Sequence, residues 1–384
     1  MRSQRPVPMC SKARSAAPRE GERRRLPPPL VNALLALARG EVASPLRTLA
    51  ARDGVLLLSL ARRHQIDALC GMRMSHRNSP PDDASSEADA LDDFRRSAIQ
   101  AYHHNGLRNQ SLASHACSLS LALRQAGVQH RFAKGLWFAF HAYPHPGARP
   151  IGDLDVITPE ADFARLTRVL ADYGYRPIGA LPRDGSAALR CAQYRGQLRW
   201  VGTGLPVLET HFRHINLGAP TPEDYDIWQE PREALVGAGT IPVPGASANL
   251  VQVAMHAHQH GFSVLRLLWD VHFALRHDRD AIDWSNVRRE WHRRGLESSA
   301  YTTLLLARDL TGAPVPAELL TSLCPGALRR VFTRVAWGLE RARRLDAPHF
   351  PDRLEAPRFA LLELGGALEK LRYLVRVTIE QVRG

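Results

Sequence analysis

Between Pro27 and Met74, Leu, Ala and Val recur every three or four residues in LVNALLALARG and VLLLSLARRHQIDALCG. That period gives each segment one apolar face when it is coiled as a helix. The stretch 79–88, SPPDDASSEA, breaks the pattern with Pro, Ser and Asp and reads as a linker. Its Ser86 stands where it can cap a long helix running through ALDDFRRSAIQAYHHNGLRNQSLASHACSLSLALRQAG, which Gly127 ends. The texture then changes. VQHRFAK (128–134) predicts a short strand, LWFAFHAY a short helix, HPGARP a loop and IGDLDVIT (151–158) a second strand. ADFARLTRVLADYGY predicts an amphipathic helix closed by Gly174, and three extended pieces follow around RPIG, ALRCAQYRG and LPVLETHF. A Pro-punctuated loop continues to residue 248, and the remainder, from ANLVQVAMHAHQHGFSVLRLLWDVHFALRH to KLRYLVRVTIEQVRG, reads as helical.

The expected fold class is therefore α+β, with a small mixed-sheet α/β core at 128–216 between two helical regions at 27–127 and 217–384. Residues 1–26 are rich in Arg, Pro and Ser without hydrophobic periodicity, so they cannot offset the entropy of ordering and are expected to be a disordered basic tail. An Arg-rich organellar transit peptide is the less favoured alternative.

Composition changes this picture little. The 384 residues are 45% hydrophobic, enough to bury at least one core. A formal net charge of +13 favours encounters with phosphate-bearing partners. The arginines are spread along the chain rather than gathered with aromatics into one stripe, so a dedicated nucleic-acid-binding role is not favoured. The cysteines at 10, 70, 117, 191 and 324 lack the short paired spacing of zinc ribbons or redox motifs and read as reduced thiols in a cytoplasmic protein. No apolar run is long enough for a membrane span, and the start of the chain lacks the apolar core of a secretory signal.

The chemistry concentrates in the central unit. Alternation along a strand sends Asp153 and Asp155 to one side and Leu154 and Val156 to the other. Two neighbouring carboxylates repel unless a cation neutralises them, and hard oxygen ligands suit magnesium. A bare pair of this kind is weak evidence, since solvated aspartates at a strand edge give the same pattern. Three neighbours strengthen it. Lys134-Gly135 stands at a strand-to-helix junction, where Gly permits close approach of a phosphate. Arg149, four residues before Asp153, offers a guanidinium that binds phosphate oxygens in pairs. Glu209 interrupts the apolar strand PVLETHF, out of keeping with a purely structural strand.

Other motifs carry less. His256 and His260, four apart, share a helix face, and Asp270 lies fourteen residues beyond His256, so one stripe of a single helix is expected to carry all three towards the cleft. Structural histidines or acceptor contacts are favoured over zinc, because no HExxH motif is present. No Walker, Rossmann or GxSxG pattern occurs.

Taken together, KGLWFAF, Arg149, GDLDVI, GYRP and VLETHF resemble the uncharacterised bacterial nucleotidyltransferases of the polymerase-beta-like superfamily over roughly residues 95 to 310. The segment MHAHQHGFSVLRLLWDVHFAL and the following Asp283-Trp284 are similar to that family's helical part. The resemblance implies a nucleotidyltransferase core in which Asp153, Asp155 and Glu209 hold two Mg2+ ions, or Mn2+ in their place. It further implies that Lys134 and Gly135 contact the nucleotide phosphates, with Arg149 as a third nucleotide-binding residue. His211, His256, His260 and Asp270 are the residues expected about the acceptor or elsewhere in the cleft. The sequence departs from the family's pattern in having Lys-Gly at the turn and Thr210 before His211. The expected activity is transfer of an NMP group from an NTP, with ATP the favoured donor, to an unidentified acceptor hydroxyl, releasing pyrophosphate. The rival expectation is an inactive protein of this fold that binds nucleic acid or a protein partner through its basic surface.

Overall fold

The computed structural model describes residues 28–41, 53–75, 87–179, 188, 197–212, 227, 228, 230, 232–293 and 295–327. The basic tail, the Ser86 cap, most of ALRCAQYRG and the helix expected at KLRYLVRVTIEQVRG lie outside the described residues.

Helices α1 (Pro28–Arg39), α2 (Asp53–Arg63), α3 (Asp67–Ser75) and α4 (Glu87–Gln125) open the fold, as the apolar periodicity predicts. Along α4, Phe94, Ala98, Tyr102, Asn109, Leu112, Ala116, Leu119 and Leu123 form the buried stripe, at spacings that are whole or near-whole turns. Gly127 ends the helix with φ of 66°, and the Val128 amide donates back to the Leu123 carbonyl. A close approach fixes the next loop against this helix. A side chain at Gly147 would meet the Tyr102 carbonyl at 2.4 Å, so glycine is required there. Beside it Asn109 donates to the carbonyls of Pro146 (2.7 Å) and Arg149 (2.8 Å).

The sheet contains β1 (Arg131–Ala133), β2 (Leu154–Ile157), β3 (Arg176–Pro177), β4 (Gln197–Val201) and β5 (Leu208–His211), in the order β1-β2-β5-β4-β3. Only β2 and β5 run parallel; the other neighbours are antiparallel, which makes the sheet mixed. Between β1 and β2 lie a short helix, α5 (Gly135–Trp137), continued by a π-helical turn over Phe138–Ala142. Helix α6 (Phe163–Asp172) follows β2. Leu154, Val156, Leu198, Trp200 and Leu208 are buried in the core beneath the sheet. Thr210 is buried there too, and accepts the Trp200 indole N–H at 2.9 Å, a polar partner that a small apolar residue would not provide.

The Pro-punctuated stretch expected to be loop through residue 248 contains a hairpin instead, β6 (Arg232–Val236) and β7 (Gly239–Val243). Ala234, Val236, Ile241 and Val243 are buried, so the hairpin has one apolar face, and burial there outweighs the proline at 242. Helices α7 (Ala246–Gln259), α8 (Leu265–His277), α9 (Trp284–Arg293), α10 (Glu297–Thr311) and α11 (Ala317–Leu323) complete the described chain. Asp283 caps α9, accepting from the amides of Ser285 and Asn286 at 3.0 Å, which gives the Asp-Trp pair a helix-starting role. The fold is thus α+β, with a small mixed sheet between N- and C-terminal helices and one apolar core running from Leu30 to Leu323. No helix among the described residues is long and apolar enough to cross a membrane.

Candidate metal and nucleotide cleft

A cleft of about 820 Å³ opens between the sheet and the helices that follow it. Its sheet wall carries Asp153, Asp155, Arg199, Glu209 and His211, and its helical wall carries Gln252, His256, His260 and Arg266.

The register of the parallel pair builds the sheet wall. Asp155 of β2 lies directly beside Glu209 of β5, and side chains two apart on β5 share a face, which adds His211. Asp153, just before β2, reaches the same cleft. One ligating atom each from Asp155, Glu209 and His211 lies within 4.8 Å of the others, a group that can hold a metal ion. His211 thereby joins the carboxylate cluster within the cleft: its Nε2 is 2.8 Å from Asp155 Oδ1 and 3.9 Å from Glu209 Oε2.

Cations already sit among these acids. Lys134 Nζ donates to Asp155 Oδ1 at 2.8 Å. Arg199 Nε donates to Glu209 Oε1 at 2.9 Å, and its Nη2 lies 2.8 Å from the same oxygen and 3.7 Å from Asp153 Oδ2. The two aspartates consequently differ. Burial pushes the Asp155 carboxyl up, but the charge of Lys134 and the hydrogen bond and charge of His211 outweigh it, holding the group well below the usual carboxylate range. Asp153 is raised, first by burial and then by the charges of Asp155 and Glu209. A raised carboxyl among like charges is the electrostatic mark of a site short of positive charge.

Lys134 itself has φ of 52°, an uncommon conformation for a residue with a side chain, at the turn from β1 into α5. Gly135 follows because a side chain there would approach Ile151 Cγ2 to 3.0 Å. The turn brings Lys134 to the carboxylates.

Arg149 does not extend into the cleft as a free phosphate ligand. It is buried, with Nε and Nη2 each donating at 2.8 Å to the two oxygens of Asp270, and Nη1 directed to the carbonyls of Gly135 and Pro150. Its fork is occupied by protein acceptors, although the residue lines the cleft. Asp270 is not among the residues that line the cleft. It sits behind the helical wall, where it also accepts from Tyr143 (2.9 Å) and Arg266 (3.1 Å). The single stripe expected to join it to His256 does not exist, because Gly261 and Phe262, at φ of 56° and 55°, break the chain between α7 and α8.

His256 and His260 do line the cleft, their rings edge to face with centroids 4.6 Å apart. Burial, followed by the charge of Lys134, pushes His256 well below its ordinary range and His260 down to about 4, so both are neutral near pH 7. His258 points the other way, buried against Phe262, and burial lowers it to about 3.

Among the cleft residues that escaped the sequence reading are Arg199, Arg266 and Gln65. Arg199 was findable, since alternation in QLRWV places it between the buried Leu198 and Trp200, facing the acids. Gln65, at φ of 55° in the turn after α2, carries no such signal.

The cleft thus sets carboxylates from adjacent parallel strands opposite a helical wall that carries two imidazoles and one arginine. The chain belongs to the family described as uncharacterised nucleotidyltransferases, whose sequence model matches residues 51–312. No curated protein and no solved structure matches the chain.

Proposed function

We propose that this chain transfers a nucleotidyl group from an NTP, ATP first among them, to an acceptor hydroxyl, with Mg2+ or Mn2+ held by Asp153, Asp155 and Glu209. Family membership supports nucleotidyl transfer as the reaction class. The observation that carries the reading is the parallel pairing that puts Asp155 beside Glu209, with Asp153 in the same cleft and His211 within ligating reach.

The donor set fits hard divalent cations: two carboxylates and one imidazole within 4.8 Å of one another, with Asp153 lining the same cleft. When bound, such ions neutralise the nucleotide phosphates and lower the pKa of the acceptor hydroxyl. In the overall reaction a new bond forms between the acceptor oxygen and the α-phosphorus, the bond to the β-phosphate breaks, and pyrophosphate and the hydroxyl proton leave. The chain's own residues prepare the site. Arg199 aims Glu209, His211 orients Asp155, and Lys134 is the nearest cation for a phosphate once Asp155 has another counter-ion. The neutral His256 and His260 offer hydrogen bonds to an acceptor without adding charge.

The same contacts favour a second reading. Lys134 and His211 on Asp155, with Arg199 on Glu209, already compensate the acids, as in an inactive protein of this fold that binds nucleic acid or a protein through its basic surface. Incubating the protein with Mg2+, each α-labelled NTP and a cell extract separates the two. A labelled product lost in Asp153→Asn and Asp155→Asn supports the enzyme. No product with any NTP, together with salt-sensitive nucleic-acid binding, supports the rival.

A further inference from the structure

The helical wall holds a charge imbalance. Behind it one carboxylate, Asp270, serves two guanidinium groups, Arg149 and Arg266. The other hydrogen-bond and ring partners of Arg149 are two backbone carbonyls and the face of Phe138, while the charges of Asp155 on Arg149 and Asp153 on Arg266 act from the sheet wall. Arg266 is the member of this cluster on the cleft side. Its side chain is only 16% exposed, and it is anchored at two nitrogens on different sides of the guanidinium, with Nε donating to Gln65 Oε1 at 2.7 Å and Nη1 to Asp270 Oδ2 at 3.1 Å. Nη2, the remaining amine, has no hydrogen-bond partner among the described residues. The anchoring comes from far along the chain: Gln65 is 201 residues from Arg266, and the α8 start is held by His64, whose carbonyl and Nδ1 accept from the amides of Arg266 and Leu265.

A guanidinium fixed at Nε and Nη1 holds its remaining amine in place, so little freedom is lost when an anion binds there. The opposite wall carries the carboxylates, with Lys134 and Arg199 among them, and Arg266 faces it from the helices. We propose that Arg266 is the principal contact for the polyphosphate tail of the substrate, held ready by Gln65 and Asp270. In this assignment Arg266 takes the role that sequence proximity gave to Arg149. Gln65 becomes a positioning residue by which the N-terminal helices enter the site.

The assignment rests on the proposed nucleotidyl transfer for the identity of the anion, but its test does not need turnover. Inorganic tripolyphosphate is titrated into the full-length protein by calorimetry, without and with Mg2+. Arg266→Gln is expected to weaken binding about tenfold or more, and Gln65→Ala by a smaller factor, since it leaves the charge and removes only the anchor. Arg266→Lys is expected to fall between wild type and Arg266→Gln, and thermal melts show which variants are folded. Binding by a folded Arg266→Gln or Arg266→Lys protein at wild-type strength overturns the proposal, as does wild-type protein that does not bind tripolyphosphate. If tripolyphosphate binding depends on Arg266 while no NTP is ever transferred, the anion site stands and the reaction assignment falls. Transfer that proceeds with tripolyphosphate binding indifferent to Arg266 gives the converse.

Discussion

The two walls of the cleft solve opposite electrostatic problems. The sheet wall packs Asp153, Asp155 and Glu209 together and partly compensates them with Lys134 and Arg199. The helical wall places neutral imidazoles at its surface and keeps its carboxylate, Asp270, behind it on Arg149, with Arg266 reaching the cleft. The difference shows that position in a cleft does not by itself assign a charged residue its role. Asp155 and Asp270 are both buried aspartates with cationic partners, yet Asp155 opens onto the cleft and Asp270 is enclosed by Tyr143 and two arginines.

Removing the charge at Asp155 breaks the sheet wall most completely. Asp155→Asn keeps the shape, and nucleotidyl transfer is expected to fall about a thousandfold, measured as initial rate with labelled NTP. Residual transfer near the wild-type rate would separate the reaction from this carboxylate. Glu209→Gln is expected to weaken Mn2+ binding about a hundredfold, read by electron paramagnetic resonance titration, with an unchanged thermal melt. Breaking the buried pair behind the helical wall should show as stability instead of affinity. Arg149→Met is expected to lower unfolding free energy by about 3–5 kcal/mol in urea titrations, because it leaves Asp270 with one fewer cation in a buried site. Tripolyphosphate affinity in that variant, measured where it remains folded, should change little; a large loss of affinity with unchanged stability would return Arg149 to the phosphate.

The smallest expected effect concerns pH. Folding lowers His258 from its ordinary 6.5 to about 3, so the unfolded chain takes up the proton first. The stabilisation is complete above about pH 6.5 and is lost progressively as pH falls towards 3. His260 and His272, each lowered to about 4, add to the same slope. Urea midpoints measured between pH 7 and pH 4, taken here as about the accessible range, should decline with acid, and His258→Leu should flatten the curve.

The sheet wall was legible in the sequence because its logic is local. A two-residue alternation places Asp153 and Asp155, and an acid in an otherwise apolar strand marks Glu209. Which strands lie side by side was not legible, and that pairing is what turns His211 from a histidine after Glu209 into a neighbour of Asp155. The helical wall was read less well because its determinants are far apart in sequence. Asp270 meets Arg149 across 121 positions, and Gln65 meets Arg266 across 201. The hairpin at β6 and β7 was hidden for another reason: its apolar alternation is short and carries a proline, so the turn chemistry outweighed the pattern.

The central claim is that the sheet carboxylates support transfer of the α-phosphoryl group with its nucleoside. Parallel reactions with α-labelled and γ-labelled ATP, Mg2+ and the acceptor fraction of an extract test it most directly. The expected result is α-label in the acceptor product, γ-label recovered as pyrophosphate, and loss of both signals in Asp155→Asn. Recovery of γ-label in the acceptor, or α-label transfer that persists undiminished in Asp155→Asn, would contradict it.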